Sequence, residues 1–215
     1  MDVHDIKAIF KNRKSKPLEI KQYFSVLLPL INRNGQLHIL YEVRSDKVTQ
    51  PGEISFPGGR VEVCENFKDA AIRETHEEIG VDRQKIEVFG ELDYITRENN
   101  FILYPYVGVL HETFDNLRIS EDEVAKVFTV PLDFFLETKP DVYEISYKTN
   151  FTNGFPYDKI PNGENYKWRE VGRPVLFYDY QGHIIWGMTA RITHNFVKRI
   201  IKGDKNEPST QASMD

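Results

Sequence analysis

The chain has 215 residues, 40 % of them hydrophobic and 28 % charged, and a formal net charge of −5. That is the balance of an ordinary globular protein, long enough for one elaborated domain burying roughly 70 % of its unfolded surface without staples. The acid excess and the lack of a long Lys/Arg block exclude a nucleic-acid-wrapping surface, the single Cys64 excludes an internal disulfide framework, and no apolar run reaches the roughly 20 residues of a membrane span.

The opening Met1-Asp2-Val3-His4-Asp5 has neither the basic start nor the apolar run of a signal peptide, so a soluble, cytoplasmic protein is expected. Val3, Ile6, Ile9 and Phe10 stand at helical spacing and predict a short amphipathic helix over residues 3–10. A basic linker over 11–16 follows, closed by Pro17. Residues 23–31 and 37–43 are dense in apolar side chains and are joined across Asn34-Gly35, a hairpin signal. Residues 44–64, rich in Gly, Pro and Ser, read as an ordered loop. Residues 67–79 read as a helix with Asn66 as N-cap and Gly80 as its stop.

Strands are expected over 86–95 and 101–110, and a helical turn over 131–136 opened by Pro131. Residues 137–172, punctuated by Pro, Gly and Asn, read as a long excursion holding one or two strands. A last hairpin, 175–178 with 183–186, precedes an amphipathic helix over 188–201. The expected organisation is an N-terminal helix and linker (1–20), a main domain (21–203) interrupted by the excursion, and a flexible tail (204–215). Strands flanking a central helix, with another helix at the end, indicate a mixed α/β layered fold.

Chemistry concentrates in the 67–79 helix. At 100° per residue, Glu74, Glu77 and Glu78 share an arc of about 100°, with Ala70 and Ala71 one turn earlier on the same face. Ile72 and Ile79 point away, toward a core. Glutamates so placed repel one another, by roughly 0.2–0.5 kcal/mol per i,i+4 pair even in water. A hard divalent cation removes that penalty and brings oxygen coordination with retained waters. A solvated acidic helix face is the plain alternative. Arg73 is placed to pair with Glu65.

The full spacing of Gly59, Glu65, Arg73, Glu74, Glu77, Glu78, Gly80 and Val81 resembles the Nudix box, G-x5-E-x7-R-E-U-x-E-E-x-G-U with U a bulky aliphatic residue. The departure is Thr75 at the first U, whose hydroxyl needs a partner. The resemblance implies the family's α/β/α sandwich with a mixed sheet and a loop-helix-loop catalytic box. It also implies Mg²⁺ (or Mn²⁺) held by Glu74 and Glu78, with Glu77 and the Gly59 carbonyl as additions.

Upstream, Arg44-Ser45, a spacer, then Gly52-Glu53-Ile54-Ser55-Phe56-Pro57-Gly58-Gly59 is similar to the signature of the coenzyme A pyrophosphatase subgroup. Ser120-Glu121-Asp122-Glu123-Val124 resembles its acidic loop, and Trp186-Gly187-Met188-Thr189-Ala190 its C-terminal helix entry. Thr49 stands where the subgroup's spacer carries Arg. The implied reaction splits coenzyme A into 3′-phosphoadenosine 5′-phosphate and 4′-phosphopantetheine, with acyl derivatives as further substrates. The alternatives are another nucleoside-diphosphate-X, such as ADP-ribose or NADH, and a non-catalytic nucleotide-binding module.

Arg44 is a forked phosphate donor or a surface side chain, with Ser45 and Lys47 beside it. The catalytic set is Arg73 with Glu77, Glu121 or Glu123 as general base; a helix-capping acidic start is the competing account of residues 120–123. The aromatics Phe151, Phe155, Tyr157, Tyr166 and Trp168 line a substrate pocket, a flap or a subunit contact. The expected partner is a small nucleotide, with no nucleic acid and no membrane; a homodimer is compatible with the family.

Overall fold

The computed structural model describes residues 1–97, 100–169 and 171–203; the expected tail, 204–215, lies outside them. Helix α1 (Val3–Phe10) is opened by a capping box in which Asp2 and Asp5 exchange backbone hydrogen bonds of 2.9 Å. It buries nothing: its apolar residues stay exposed.

The expected first hairpin is strands β1 (Gln22–Arg33) and β2 (Gln36–Arg44). Asn34 and Gly35 both have positive φ, the geometry of a turn that matches strand twist. The 44–64 loop holds two short strands that composition concealed, β3 (Ile54–Ser55) and β4 (Gly58–Arg60). Helix α2 (Phe67–Ile79) follows, its Asn66 side chain accepting the Asp69 N–H at 2.8 Å. Such a cap stabilises by about 1 kcal/mol. At the other end Gly80 takes a left-handed φ of 71° and stops the helix.

The single strand expected over 86–95 is two, β5 (Ile86–Glu91) and β6 (Ile95–Arg97), because the register shifts between Val88 and Gly90 and the chain leaves the ladder before residue 95. Strand β7 (Phe101–Leu110) runs as expected and pairs parallel with β1. The acidic segment 120–123 opens no helix. It is a turn into a strand the sequence reading overlooked, β8 (Val124–Pro131), which pairs with β2 and delivers Pro131 to α3 (Leu132–Glu137). Strand β9 (Asp141–Tyr147) opens the excursion and pairs with β10 (Val171–Tyr180), which pairs in turn with β11 (His183–Trp186). Helix α4 (Gly187–Lys202) closes the fold.

Among the described residues, eight strands form the larger, mixed sheet and three the smaller. Period-2 alternation splits the core into two layers. Leu27, Ile31, Leu40 and Tyr106 point to α2, packing with Ala71, Ile79 and Val81. Leu28, Leu30, Ile39 and Tyr41 point the other way, to Phe135 of α3, to Ile192, Phe196 and Val197 of α4, and to the small sheet. Helix lies on both faces of the sheet, the α/β/α arrangement anticipated. Each fully buried Leu or Ile contributes roughly 1.5–3 kcal/mol. No helix among the described residues is long and apolar enough to cross a membrane.

Candidate active site

Helix α2 does not turn its glutamates away from its core side. Ala70, Ala71, Thr75, Glu78 and Ile79 are all buried, so Glu78 goes down at the rim of the apolar layer. Ala71, expected to leave room beside the carboxylates, packs in the core instead. The Thr75 hydroxyl donates to the Ala71 carbonyl at 2.7 Å, the partner it needed. His76 bonds the Val81 carbonyl through Nδ1 at 2.8 Å and helps shape the helix end.

Close approach of backbone to carboxylate defines the site. The Gly58 N–H donates to Glu78 Oε2 at 2.7 Å. A Cβ on Gly59 would fall on the Glu74 carboxylate, so any larger residue there would push that carboxylate from its place. Arg73 organises the rest. Its Nε and Nη2 clasp Glu65 at 2.8 and 3.0 Å, Nη2 also reaches the Arg60 carbonyl, and Nη1 donates to Glu74 at 2.8 Å and Glu77 at 3.1 Å. The expected Arg73–Glu65 pair is therefore present, as a forked one. It ties the incoming loop to the helix. These acids hold the guanidinium firmly protonated, and Arg73 lowers the Glu65 pKa.

A residue that pattern reading passed over completes the cluster. Glu42 lies mid-β2 with its side chain 2 % exposed. One oxygen accepts from Ser55 Oγ at 2.8 Å, while Oε2 is sealed without a hydrogen-bond partner. Burial raises the pKa of Glu42, and the negative fields of Glu123 and Glu74 add to it. Burial likewise raises Glu78, followed by the field of Glu42. Glu74 is raised by burial against the opposing pull of Arg73.

The remaining candidates fall into two groups. Glu123 acts electrostatically on Glu42, Glu74 and Glu78, whereas Glu121 acts on Lys47 at the surface. Hooks hold the acidic turn in place: the Ser120 N–H donates to the Glu78 carbonyl at 2.8 Å, the Ser45 N–H to the Glu123 carbonyl at 2.9 Å, and Ser45 Oγ to the Asp122 carbonyl at 2.7 Å. Ser45 is thus a buried tie between loops. Lys47 pairs with Asp122 at 2.6 Å, both well exposed, a contact of small net value. Arg44 closes its own loop, with Nε donating to the Thr49 carbonyl at 2.8 Å. Glu77 is half exposed, between Arg73 and Arg83.

Among the described residues, no three His, Cys, Asp or Glu side chains already stand around one point as a closed cation cage. The donor set nevertheless fits a hard divalent ion. It consists of carboxylate oxygens, one of them buried and unpartnered, with a glycine backbone pressed against Glu74. Glu42, Glu74 and Glu78 are the groups that would hold it.

Two clefts lie across the β3 edge, of about 540 and 400 Å³. They share Glu53, Phe177 and Trp186. Phe177 and Trp186 stack at 5.8 Å, and Arg173 and Arg191 line the smaller cleft. Tyr143 of the excursion lines the smaller cleft, but the five aromatics expected at a pocket, flap or subunit contact line neither. Phe151, Phe155, Tyr157, Tyr166 and Trp168 pack on one another, with ring centroids 4.4–6.0 Å apart.

Comparison with known proteins identifies the family. The chain is 37 % identical over 171 residues to the peroxisomal coenzyme A diphosphatase NUDT7 of Mus musculus, covering 79 % of this chain and 66 % of that protein, just under two thirds of its length. It is 30 % identical over 174 residues to Nudix hydrolase 3 of Caenorhabditis elegans, covering 79 % of this chain and 70 % of that one. A crystal structure of a MutT/nudix family protein from Enterococcus faecalis shares the fold, with a TM-score of 0.52 at 14 % identity over 94 % of this chain and 70 % of that one. The NUDIX domain matches residues 21–149, more than half of the chain, which therefore belongs to the Nudix hydrolase family.

Proposed function

We propose that this enzyme hydrolyses the pyrophosphate of coenzyme A, and of acyl derivatives, to 3′-phosphoadenosine 5′-phosphate and 4′-phosphopantetheine, with Mg²⁺ or Mn²⁺. The observation that carries the reading is the mutual electrostatic influence of Glu42, Glu74 and Glu78 between β2 and α2, beside the 44–59 loop. Residues of that loop also carry the likeness to coenzyme A pyrophosphatases. The mouse relative's coenzyme A diphosphatase name supports the same substrate.

A divalent cation held here supplies Lewis-acid polarisation and charge neutralisation at the phosphates. The chain's own residues do the rest. Arg73 orients Glu74 and braces the entering loop through Glu65. We take Glu123, on a turn fixed from two sides and acting on Glu78, as the carboxylate that accepts a proton from water, with Glu77 and Glu121 as the alternatives. The organic arms of the substrate rest in the clefts across β3, against Phe177 and Trp186. We also place the enzyme in the cytoplasm, consistent with a lone, exposed, unpaired Cys64.

The deciding experiment measures Mg²⁺-dependent turnover of coenzyme A, ADP-ribose and NADH in parallel. Preferential cleavage of coenzyme A to the two named products is expected. Faster cleavage of ADP-ribose or NADH would keep the reaction type and reject the substrate. Folded protein that cleaves none of them with metal present would reject catalysis.

A further inference from the structure

Glu42 is hard to account for as a packing residue. It occupies a central position of β2 between Tyr41 and Val43, and its side chain takes the α2 side of the sheet, as Leu40 does. An apolar or hydroxyl side chain would fill that space without bringing a charge into it. Ser55 satisfies only one of its oxygens, and the other is buried with nothing to accept from. Arg44, two residues on, eases the Glu42 charge only through space, its guanidinium being hydrogen-bonded to Thr49. Glu78, buried on α2, feels the charge of Glu42, and Glu42 in turn feels those of Glu74 and Glu123. Two buried carboxylates facing one another without a cation are an unstable arrangement unless something positive comes between them.

We propose that Glu42 is a metal-holding carboxylate of this site, supplied by the sheet from outside the α2 helix. It would hold the ion together with the glutamates of α2, and Ser55 would fix its orientation by holding Oε1 and leaving the buried Oε2 free to bind. Such an outer hydrogen bond orients a ligand oxygen and tunes its affinity. The inference rests on the divalent-cation reading above and adds a residue that its spacing pattern does not contain.

The test titrates Mn²⁺ into metal-stripped full-length protein by calorimetry and electron paramagnetic resonance, with no substrate. Glu42→Gln keeps the shape and the Ser55 bond but removes the charge. It is expected to weaken Mn²⁺ binding about tenfold or more and to shrink the Mn²⁺-induced rise in melting temperature, with no loss of stability in chelator. Mn²⁺ binding equal to wild type in a folded Glu42→Gln overturns the assignment and leaves Glu42 a structural acid. Should that variant not fold, Glu42→Asp keeps the charge and draws the oxygens back by one methylene; unchanged Mn²⁺ affinity there also overturns it. Wild-type protein that binds no Mn²⁺ overturns the cation reading itself, a result distinct from a Glu42 failure.

Discussion

The two sides of strand β3 use buried space in opposite ways. Toward α2, Ser55 holds Glu42, whose charge acts on the buried Glu78. Toward α4, Ile54 is buried in apolar surroundings, its carbonyl takes the Thr189 hydroxyl at 2.9 Å, and the clefts beyond are walled by Phe177 and Trp186. The same two residues, one step apart on a pleated strand, divide charge from shape. Bond cleavage needs fixed charges in low dielectric, where they act strongly. Holding a large organic substrate needs apolar area and a few polar contacts. A substrate that lies across this edge meets both.

If that division holds, damage on the α2 side should strike turnover and leave recognition alone. The largest effect expected is for Glu78→Gln. Its kcat should fall about a thousandfold or more, some 4 kcal/mol of barrier, with little change in KM. Stability in chelator should not fall, since burial already keeps Glu78 protonated and the amide is neutral as well. More than a tenth of wild-type turnover in a coenzyme A assay would break the comparison.

Arg73→Ala comes next. It strips donors from Glu65, Glu74, Glu77 and the Arg60 carbonyl at once, groups that are partly buried. A loss of about 10- to 100-fold in kcat is expected, with about 1–3 kcal/mol of stability from denaturant melts. Arg73→Lys should restore only part of this, because an ammonium lacks the fork that clasps Glu65.

The carboxylate side should also carry a pH signature in metal-free protein. Glu42 and Glu78 keep their protons in the fold above the range where an unfolded chain has lost them, from about 4.5 upward. Their contribution to stability is therefore full below pH 4.5 and is lost as pH rises through their folded-state values. The melting temperature in chelator should fall as pH rises from 4.5 into the neutral range. Added Mn²⁺ should raise it more at pH 8 than at pH 5. A flat profile in chelator would mean that these two acids do not share a buried site.

How much of each side could be read beforehand follows from how each is encoded. The α2 side is written locally: Asn66, the glutamate spacing and Gly80 define a cap, a face and a stop within one helix. Glu42 is different. In an apolar strand it looks like the solvent-facing member of an alternation, and only the pairings with β3 and β8 place both of its flanks under cover. The β8 strand was hidden because an acidic turn and Pro131 bracket it, and helix-start chemistry uses the same residue types. Phe151, Phe155, Tyr157, Tyr166 and Trp168 were visible, but their ring partners were each other. Composition cannot say which surface a cluster of rings will choose.

The smallest effect expected is on the cleft side, and it separates the two regions most sharply. Trp186 is 42 % exposed, stacks on Phe177 and borders both clefts. Its removal leaves the core intact, since Leu176, Tyr178 and Ile185 occupy the inner face of the same small sheet. Trp186→Ala should therefore raise KM for coenzyme A about five- to tenfold, roughly 1–1.4 kcal/mol of contact, at unchanged kcat and nearly unchanged melting temperature. Shortening the substrate should mimic the mutation: if Trp186 touches one organic arm, a substrate lacking that arm should not discriminate between wild type and variant. A fall in kcat matching the rise in KM would instead mean that the β3 edge transmits changes from cleft to carboxylates, and the separation of charge from shape would be incomplete.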